Sequence, residues 1–128
     1  MSATNEDRQT INGGQIKATG GANAAGIGGG EGSANAMIII NNGEIEAKGG
    51  NEAAGIGGGS NSNQDPEEIL IQDGTVTATG GNQGAGIGGG SNGNVGKIII
   101  ANGDVNATGG NGAAGIDGGY IFLFGNMV

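Results

Sequence analysis

Two short phrases recur four times along the chain at a nearly constant spacing, and this repeat constrains the fold more than any other feature. The first phrase, of the type Ala-Ala-Gly-Ile-Gly-Gly-Gly, has central isoleucines at offsets of 29, 31 and 29 residues, namely Ile27, Ile56, Ile87 and Ile116. The second phrase keeps the same spacing and begins at Ile11, Ile40, Ile71 and Ile100. Self-similarity at a fixed period of about 20–50 residues is typical of solenoids, in which each repeat buries its apolar face only against its neighbours.

Each repeat contains segments typical of short β-strands. β-Branched runs at 37–40, 68–71 and 97–100 are each followed by a strictly alternating segment, at 44–48, 75–79 and 104–108. Alternation with period two places one set of side chains inside and the other outside. Turn dipeptides separate the strands, and we expect them to occupy one equivalent corner: Asn12-Gly13, Asn42-Gly43, Asp73-Gly74 and Asn102-Gly103. Asn and Gly adopt a positive φ at such corners with little steric strain.

The predicted fold is all-β: a parallel β-helix, taken as a right-handed β-solenoid, of about four coils with three short strands per coil. We expect residues 1–9 to be a flexible N-terminal lead-in and residues 10–119 to form the four-repeat β-helix. Residues 120–128 are predicted to form a C-terminal hydrophobic cap, because the aromatic residues of the chain all lie between Tyr120 and Phe124, and solenoids need covered ends.

Stacking of the coils places equivalent residues above one another, roughly 4.8 Å apart. Four interior columns are predicted: Ile16, Ile45, Val76 and Val105; Ala18, Ala47, Ala78 and Ala107; Ile27, Ile56, Ile87 and Ile116; and Ile11, Ile40, Ile71 and Ile100. Each buried Ile or Val contributes roughly 1.5–3 kcal/mol. The core is therefore thin, and it exists only where coils stack.

Composition narrows the function. The chain has no His and no Cys, so the commonest general base and the Cys-based metal sites are missing, and we do not expect an enzyme. The formal net charge of -8 should repel phosphate backbones, so we expect no nucleic-acid partner. The longest apolar run, from Tyr120 to Phe124, is too short to span a bilayer, so no membrane span is expected.

The sequence is compatible with two localisations. Residues 1–10 are polar and show no secretory signal. A cytosolic protein is one interpretation, and an excised domain of an extracellular or cell-surface protein is the other.

The outward positions of the alternating segments are the first candidate binding surface. They form three predicted columns: Gln15, Glu44, Thr75 and Asp104; Lys17, Glu46, Thr77 and Asn106; and Thr19, Lys48, Thr79 and Thr108. The candidate ligand-binding residues among them are Thr75, Thr77, Thr79, Glu44, Glu46, Asp104, Asn106 and Thr108. Such a flat face of hydroxyls, amides and carboxylates suits a sugar polymer, although an ordinary solvated sheet face has the same composition.

Two other surfaces offer routes to a homo-oligomer. If Ala25 and Ile27 point inwards, Ala24, Gly26 and Gly28 point outwards and form a glycine face on which a flat partner could approach closely. The alternative is that tight backbone geometry demands glycine there. A further outward column, which we call the Ile39/Leu70/Ile99 stripe, is apolar and would be an association surface if no loop covers it.

Acidic residues offer the one candidate metal site. Asp65, Glu67, Glu68 and Asp73 form the densest acidic group, around the longest corner loop. Carboxylates of this kind bind calcium, so the expected cofactor is none or calcium. We expect no Lys or Arg nearby to act as the base of a polysaccharide lyase.

The segment from Ile71 to Gly90 resembles the glycine-rich repeats of large bacterial surface proteins, some of which are described as carbohydrate-binding or adhesive β-helix domains. The resemblance covers residues 11–119. It implies a non-catalytic binding or adhesion module that presents a flat ribbed face to a polysaccharide or cell-surface polymer. A self-associating structural solenoid is the alternative function, and an ice-binding protein, based on the Thr75-Val76-Thr77 spacing, is a third.

Overall fold

The computed structural model describes residues 2–3, 8–32, 37–61, 68–91, 93, 96–117, 120–124 and 126–127. These residues form fifteen short β-strands and no helix. The strands are β1 (Ser2–Ala3), β2 (Arg8–Ile11), β3 (Gln15–Thr19), β4 (Ile27–Gly29), β5 (Met37–Ile40), β6 (Glu44–Lys48), β7 (Ile56–Gly57), β8 (Glu68–Ile71), β9 (Thr75–Thr79), β10 (Ile87–Gly88), β11 (Lys97–Ile100), β12 (Asp104–Thr108), β13 (Ile116–Asp117), β14 (Tyr120–Leu123) and β15 (Asn126–Met127).

The strands stack into three parallel sheets, and the predicted parallel β-solenoid is confirmed. The first sheet contains β2, β5, β8, β11 and β14; the second contains β3, β6, β9, β12 and β15; and the third contains β1, β4, β7, β10 and β13. Each sheet has five strands because the two ends of the chain add partial coils, so the number of coils differs slightly from the four predicted. The handedness of the solenoid stays a prediction.

Neighbouring repeats pair equivalent residues with each other. Ile45 pairs with Val76, and Val76 pairs with Val105. The third sheet keeps the same rule, since Ile56 lies between Ile27 and Ile87. Because the spacing of the repeats equals one full coil, each strand receives its hydrogen bonds from the same phrase in the coils above and below.

The core is the set of columns that this pairing creates. The predicted interior residues are buried or packed against the buried cluster in all four columns. The first sheet adds a fifth interior column, formed by Gln9, Ile38, Ile69 and Ile98 and followed by Ile121. Period-two alternation from Ile40, Ile71 and Ile100 would have predicted this column.

The predicted turn dipeptides all lie between a strand of the first sheet and the next strand of the second sheet, a place we call the first corner. The pairing places Ile11 against Ile40 and Gln15 against Glu44, so Asn12 stacks on Asn41 rather than on Asn42. The amide of Asn41 donates a 2.8 Å hydrogen bond to Oδ1 of Asn12. The prediction that these dipeptides share one corner is therefore confirmed. Within that corner, Asn12-Gly13 lies one position ahead of Asn42-Gly43, because the strand register sets the alignment.

Both chain ends contribute strands to the stack. β1, from the segment predicted as a lead-in, pairs with β4. β14, from the segment predicted as a cap, pairs with β11 over four residues. The N–H of Phe124 donates to the carbonyl of Ile100 and prolongs this ladder. The C-terminal segment therefore lies on the last repeat as one more strand, whose outer edge is the end of the first sheet.

Candidate functional site

The outward side of the second sheet carries the predicted polar columns. Strands β3, β6, β9 and β12 show inward and outward positions in strict alternation. All twelve outward side chains are exposed except Thr79, which is half-buried. We call this surface the ribbed face: Gln15, Lys17, Thr19, Glu44, Glu46, Lys48, Thr75, Thr77, Thr79, Asp104, Asn106 and Thr108. The eight predicted ligand-binding residues therefore lie together on one surface; that they bind a ligand stays a prediction.

Side chains of the ribbed face meet their equivalents in the adjoining coils. The amide of Gln15 donates a 2.8 Å hydrogen bond to Oε2 of Glu44. The strand pairing places Lys17 beside Glu46 and Glu46 beside Thr77. A shallow depression of about 220 Å³ lies in this region, lined by Gln15, Glu44, Ile45, Glu46, Thr75 and Thr77. The face is thus a row of polar ribs with a hollow between them.

A larger open groove of about 590 Å³ follows the first corner, along the border of the ribbed face. Its polar lining comes from Asn42, Glu44, Asp73, Thr75, Asn102 and Asp104, and its floor from the corner glycines. Two lining side chains are tied to the turn: Asn42 and Asp73 each accept a 2.8 Å hydrogen bond from the N–H of the glycine that follows. Hence these side chains are held in place before any ligand arrives.

Of the polar groove residues, only Asn42 and Asn102 were assigned to turns and not to a candidate site. Asn42, Asp73 and Asn102 stack in equivalent positions, and a column of Asn and Asp at one corner is the signal that could have found them. The groove shares Glu44, Thr75 and Asp104 with the outermost column of the ribbed face. The two features therefore form one continuous surface of carboxylates, amides and hydroxyls.

The predicted acidic metal site is only partly visible. Asp65 and Glu67 lie outside the described residues. Glu68 lies in β8 and Asp73 in the corner that follows β8, where its carboxylate bonds to the backbone. Within the described part of the chain, no three His, Cys, Asp or Glu residues are grouped so that they could hold a metal ion. Calcium binding at this loop stays a prediction.

A basic residue does lie beside this acidic group, contrary to expectation. Nζ of Lys97 is 3.9 Å from Oε2 of Glu68. The two residues are 29 positions apart in sequence, and the pairing of β11 with β8 makes them neighbours. The ion pair is long, and its lysine is exposed while its glutamate is half-buried, so it contributes at most a few tenths of a kcal/mol.

The predicted glycine face is wrong as an outward surface. Gly26 and Gly28 are buried, and so are their equivalents in the next two repeats. A Cβ at Gly28 would collide with the carbonyl oxygen of Gly57, and the φ of Gly28 is 138°. These glycines are therefore needed because adjacent coils approach closely, and they offer no surface for a partner.

The Ile39/Leu70/Ile99 stripe does lie on the outward side of the first sheet. Its three members are half-buried, and Thr10 at the start of the same column is exposed. The strand pairing extends the stripe to Phe122. A charged column that includes Glu68 and Lys97 runs beside it.

Fold and surface together define a class: a parallel β-solenoid of stacked sequence repeats, with a polar ribbed face and an acidic corner groove. The sequence matches the Beta helix repeat family over residues 10–31, 38–60, 69–91 and 98–120. These four matches cover most of the chain and coincide with the four sequence repeats, and the protein belongs to this family. Comparison with curated proteins and with solved structures gives no match.

The strands account for all the regular secondary structure that is described. In those parts of the chain, no helix has the length and apolar character needed to cross a membrane.

Proposed function

We propose that this protein is a non-catalytic binding module that presents the ribbed face and the adjoining corner groove to a polysaccharide or another cell-surface polymer. The observation that carries the proposal is the register of the second sheet. It sets polar side chains in three straight columns with a repeat of about 4.8 Å, the separation of neighbouring strands. A periodic ligand can then repeat the same contacts along the solenoid axis.

The chemistry of the surface supports a polyhydroxylated ligand. Thr hydroxyls and Asn amides both donate and accept hydrogen bonds, while the carboxylates of Glu44, Glu46 and Asp104 accept them. Hydrogen bonds to charged groups are roughly twice as strong as those between neutral groups. Because the contacts are exposed, each is weak by itself, and affinity would depend on many repeats of the ligand acting together.

Charge favours an uncharged or cationic polymer. The ribbed face carries three carboxylates against the two ammonium groups of Lys17 and Lys48, and Asp73 adds another carboxylate at the groove. The whole chain has a formal net charge of -8. An anionic polysaccharide would meet a surface of net negative charge, and such juxtaposition of like charge costs affinity.

A co-sedimentation assay with insoluble uncharged, cationic and anionic polysaccharides tests the proposal. We expect retention on at least one uncharged or cationic polymer. Thr77→Arg places a long side chain at the centre of the ribbed face and should reduce retention at least about tenfold, a loss of roughly 1.4 kcal/mol. Thr10→Arg, at another exposed threonine but on the first sheet, is the matched control and should bind as the parent does.

If the folded parent protein were retained on none of the polymers, the proposal would be ruled out. Equal losses in the Thr77 and Thr10 variants would also contradict it, since the ribbed face would then have no special role.

The alternative function, a self-associating structural solenoid, keeps one supporting observation. The Ile39/Leu70/Ile99 stripe is an apolar ladder on the outward side of the first sheet. Leu70→Lys at its centre should abolish self-association through this surface, as measured by light scattering.

A further inference from the structure

The two ends of the solenoid differ in how they close the core. In the first sheet, Ile98 and Ile100 are 0% exposed. Their partners in the last strand, Ile121 and Leu123, continue the same interior columns but are 40% and 47% exposed. At the other end, the corresponding columns finish with Gln9 and Ile11, both of which are buried. The apolar core is therefore open to solvent at the C-terminal end.

The strand at this end also has a free edge. β14 is the outermost strand of the first sheet and pairs only with β11 among the described strands. In a parallel sheet each strand bonds to both of its neighbours, so a terminal strand leaves a row of N–H and C=O groups without strand partners. An exposed apolar edge of this kind is a template on which another strand can pair.

Charge distinguishes the two ends as docking sites. Residues 118–128 contain no charged side chain, and Phe122 and Phe124 of this segment are 45% and 72% exposed. At the opposite end of the first sheet, the outermost strand is β2, which begins with the exposed Arg8. Charged edge residues protect a sheet against further pairing. The C-terminal edge lacks that protection, and an uncharged edge meets an identical edge without repulsion.

We propose that β14 and the following Phe124, which together we call the β14 edge, form a homodimer interface in which the β14 strands of two copies pair with each other. Two identical edges meet around a two-fold axis, which makes the strands antiparallel and closes the assembly at two copies. A head-to-tail stack would instead place Arg8 of one copy against this edge and would grow without closing.

The orientation of the side chains sets the register of the pair. Residues directly opposite in an antiparallel pair point to the same side of the sheet. Ile121 and Leu123 point inwards and Phe122 points outwards, as their partners in β11 show. The two cores join when Ile121 faces Leu123 of the second copy and Phe122 lies opposite Phe122 on the axis. The open interior columns then continue from one copy into the other.

The dimer does not depend on the proposed function, but it has a consequence for that function. It places two solenoids end to end, so that one particle carries two ribbed faces. Linked sites raise the apparent affinity for a polymer without any new contact. Because the edge is only five residues long, we expect a weak dimer that dissociates on dilution.

A cysteine cross-link tests the geometry directly. Opposed residues in an antiparallel pair have Cα atoms about 4.5–5.5 Å apart, within the range of about 4.4–6.8 Å found in disulfides. The chain has no cysteine of its own. Phe122→Cys should therefore form a disulfide-linked dimer under mild oxidation, at a rate at least about tenfold above that of Thr10→Cys, an exposed position in the same column at the other end.

Three results of this experiment would overturn the proposal. The first is equal cross-linking of the two variants, which indicates random collision. The second is preferential cross-linking between the Phe122 and Thr10 variants in a mixture, which indicates head-to-tail stacking. The third is failure of the Phe122 variant to cross-link at all.

Analytical ultracentrifugation of the unmodified protein tests the affinity. We expect the weight-average mass to rise towards that of a dimer as concentration increases over about a hundredfold range. Leu123→Lys should remain a monomer over that range, and Thr10→Lys should behave as the parent does. A parent protein that stays monomeric, or a Leu123 variant that still dimerises, contradicts the proposal. A monomer still carries one ribbed face, so its retention in the polysaccharide assay tests the proposed function separately.

Discussion

The second and third sheets come from the same repeats and share the same stacking. The second sheet accommodates varied outward side chains, whereas the third sheet requires glycine. The second sheet has five-residue strands in the complete coils, whose outward positions hold Glu, Lys, Thr, Asp, Asn or Gln without any change in register. In the third sheet the strands of the complete coils are two or three residues long, and glycine follows isoleucine in the first three repeats. One sheet therefore tolerates variation, while the other repeats almost the same residues.

The difference is one of distance between backbones. In the second sheet, outward side chains extend into solvent and meet their neighbours only at their tips, as Gln15 meets Glu44. In the third sheet, the place of a missing Cβ is occupied by a carbonyl of the next coil, as at Gly57 against Gly88. Where sequence repeats are most alike in a solenoid, the backbone can be the cause, and a binding surface is better sought where they vary.

The largest expected effect tests the interior of the second sheet. Val76 is 1% exposed, so Val76→Asp places an unpaired charge in the core, which costs more than about 4 kcal/mol and should unfold the domain. Thr79→Asp, an outward position of the same strand that pairs with Lys48, is the matched control. Circular dichroism and urea unfolding measure both. An unchanged Val76 variant would refute the inward assignment on which the ribbed face depends.

The next effect tests the third sheet. Gly57→Ala introduces a Cβ that collides with the carbonyl of Gly88, at a φ of 138°. We expect it to lower the free energy of unfolding by roughly 2–4 kcal/mol. Gly30→Ala is the control, because a Cβ there meets nothing within 4 Å. Thermal unfolding that leaves the two variants equally stable would show that close approach is not what demands glycine.

The smallest effect tests the tolerance of the ribbed face. Thr77→Val keeps a β-branched side chain at an exposed position, so its free energy of unfolding should change by less than about 0.5 kcal/mol. The same change removes a hydroxyl and should weaken polysaccharide retention. A loss of more than about 1 kcal/mol in urea unfolding would mean that this hydroxyl is structural, and the contrast between the two sheets would be weaker than we describe.

Much of the fold was predictable because the repeat and the alternation act locally. The inward positions of Ile45 and Val76 and the outward position of Thr77 follow from period two. The alignment of Asn12 was not predictable from its Asn-Gly dipeptide, since the register comes from hydrogen bonds between strands about 29 residues apart. The contact of Lys97 with Glu68 was missed for the same reason.

The candidate site was predictable as a list of residues but not as a shape. Alternation placed Glu44, Thr75 and Asp104 on one side of a strand. That they also line a groove with Asn42 and Asn102 depends on how the chain turns between the first and second sheets. The exposure of Ile121 and Leu123 could not be predicted either. Their sequence indicates a cap, and only the structure shows that they continue the interior columns at the end of the stack.

By itself, the sequence determined the class of fold, the coil length and the side of the second sheet on which each residue lies, because hydrophobic periodicity and turn chemistry depend on neighbouring residues. Only the tertiary structure decided which glycines are buried, which carboxylates share the groove and which end of the core stays open. Those properties depend on the distance between backbones of successive coils, which no local pattern encodes.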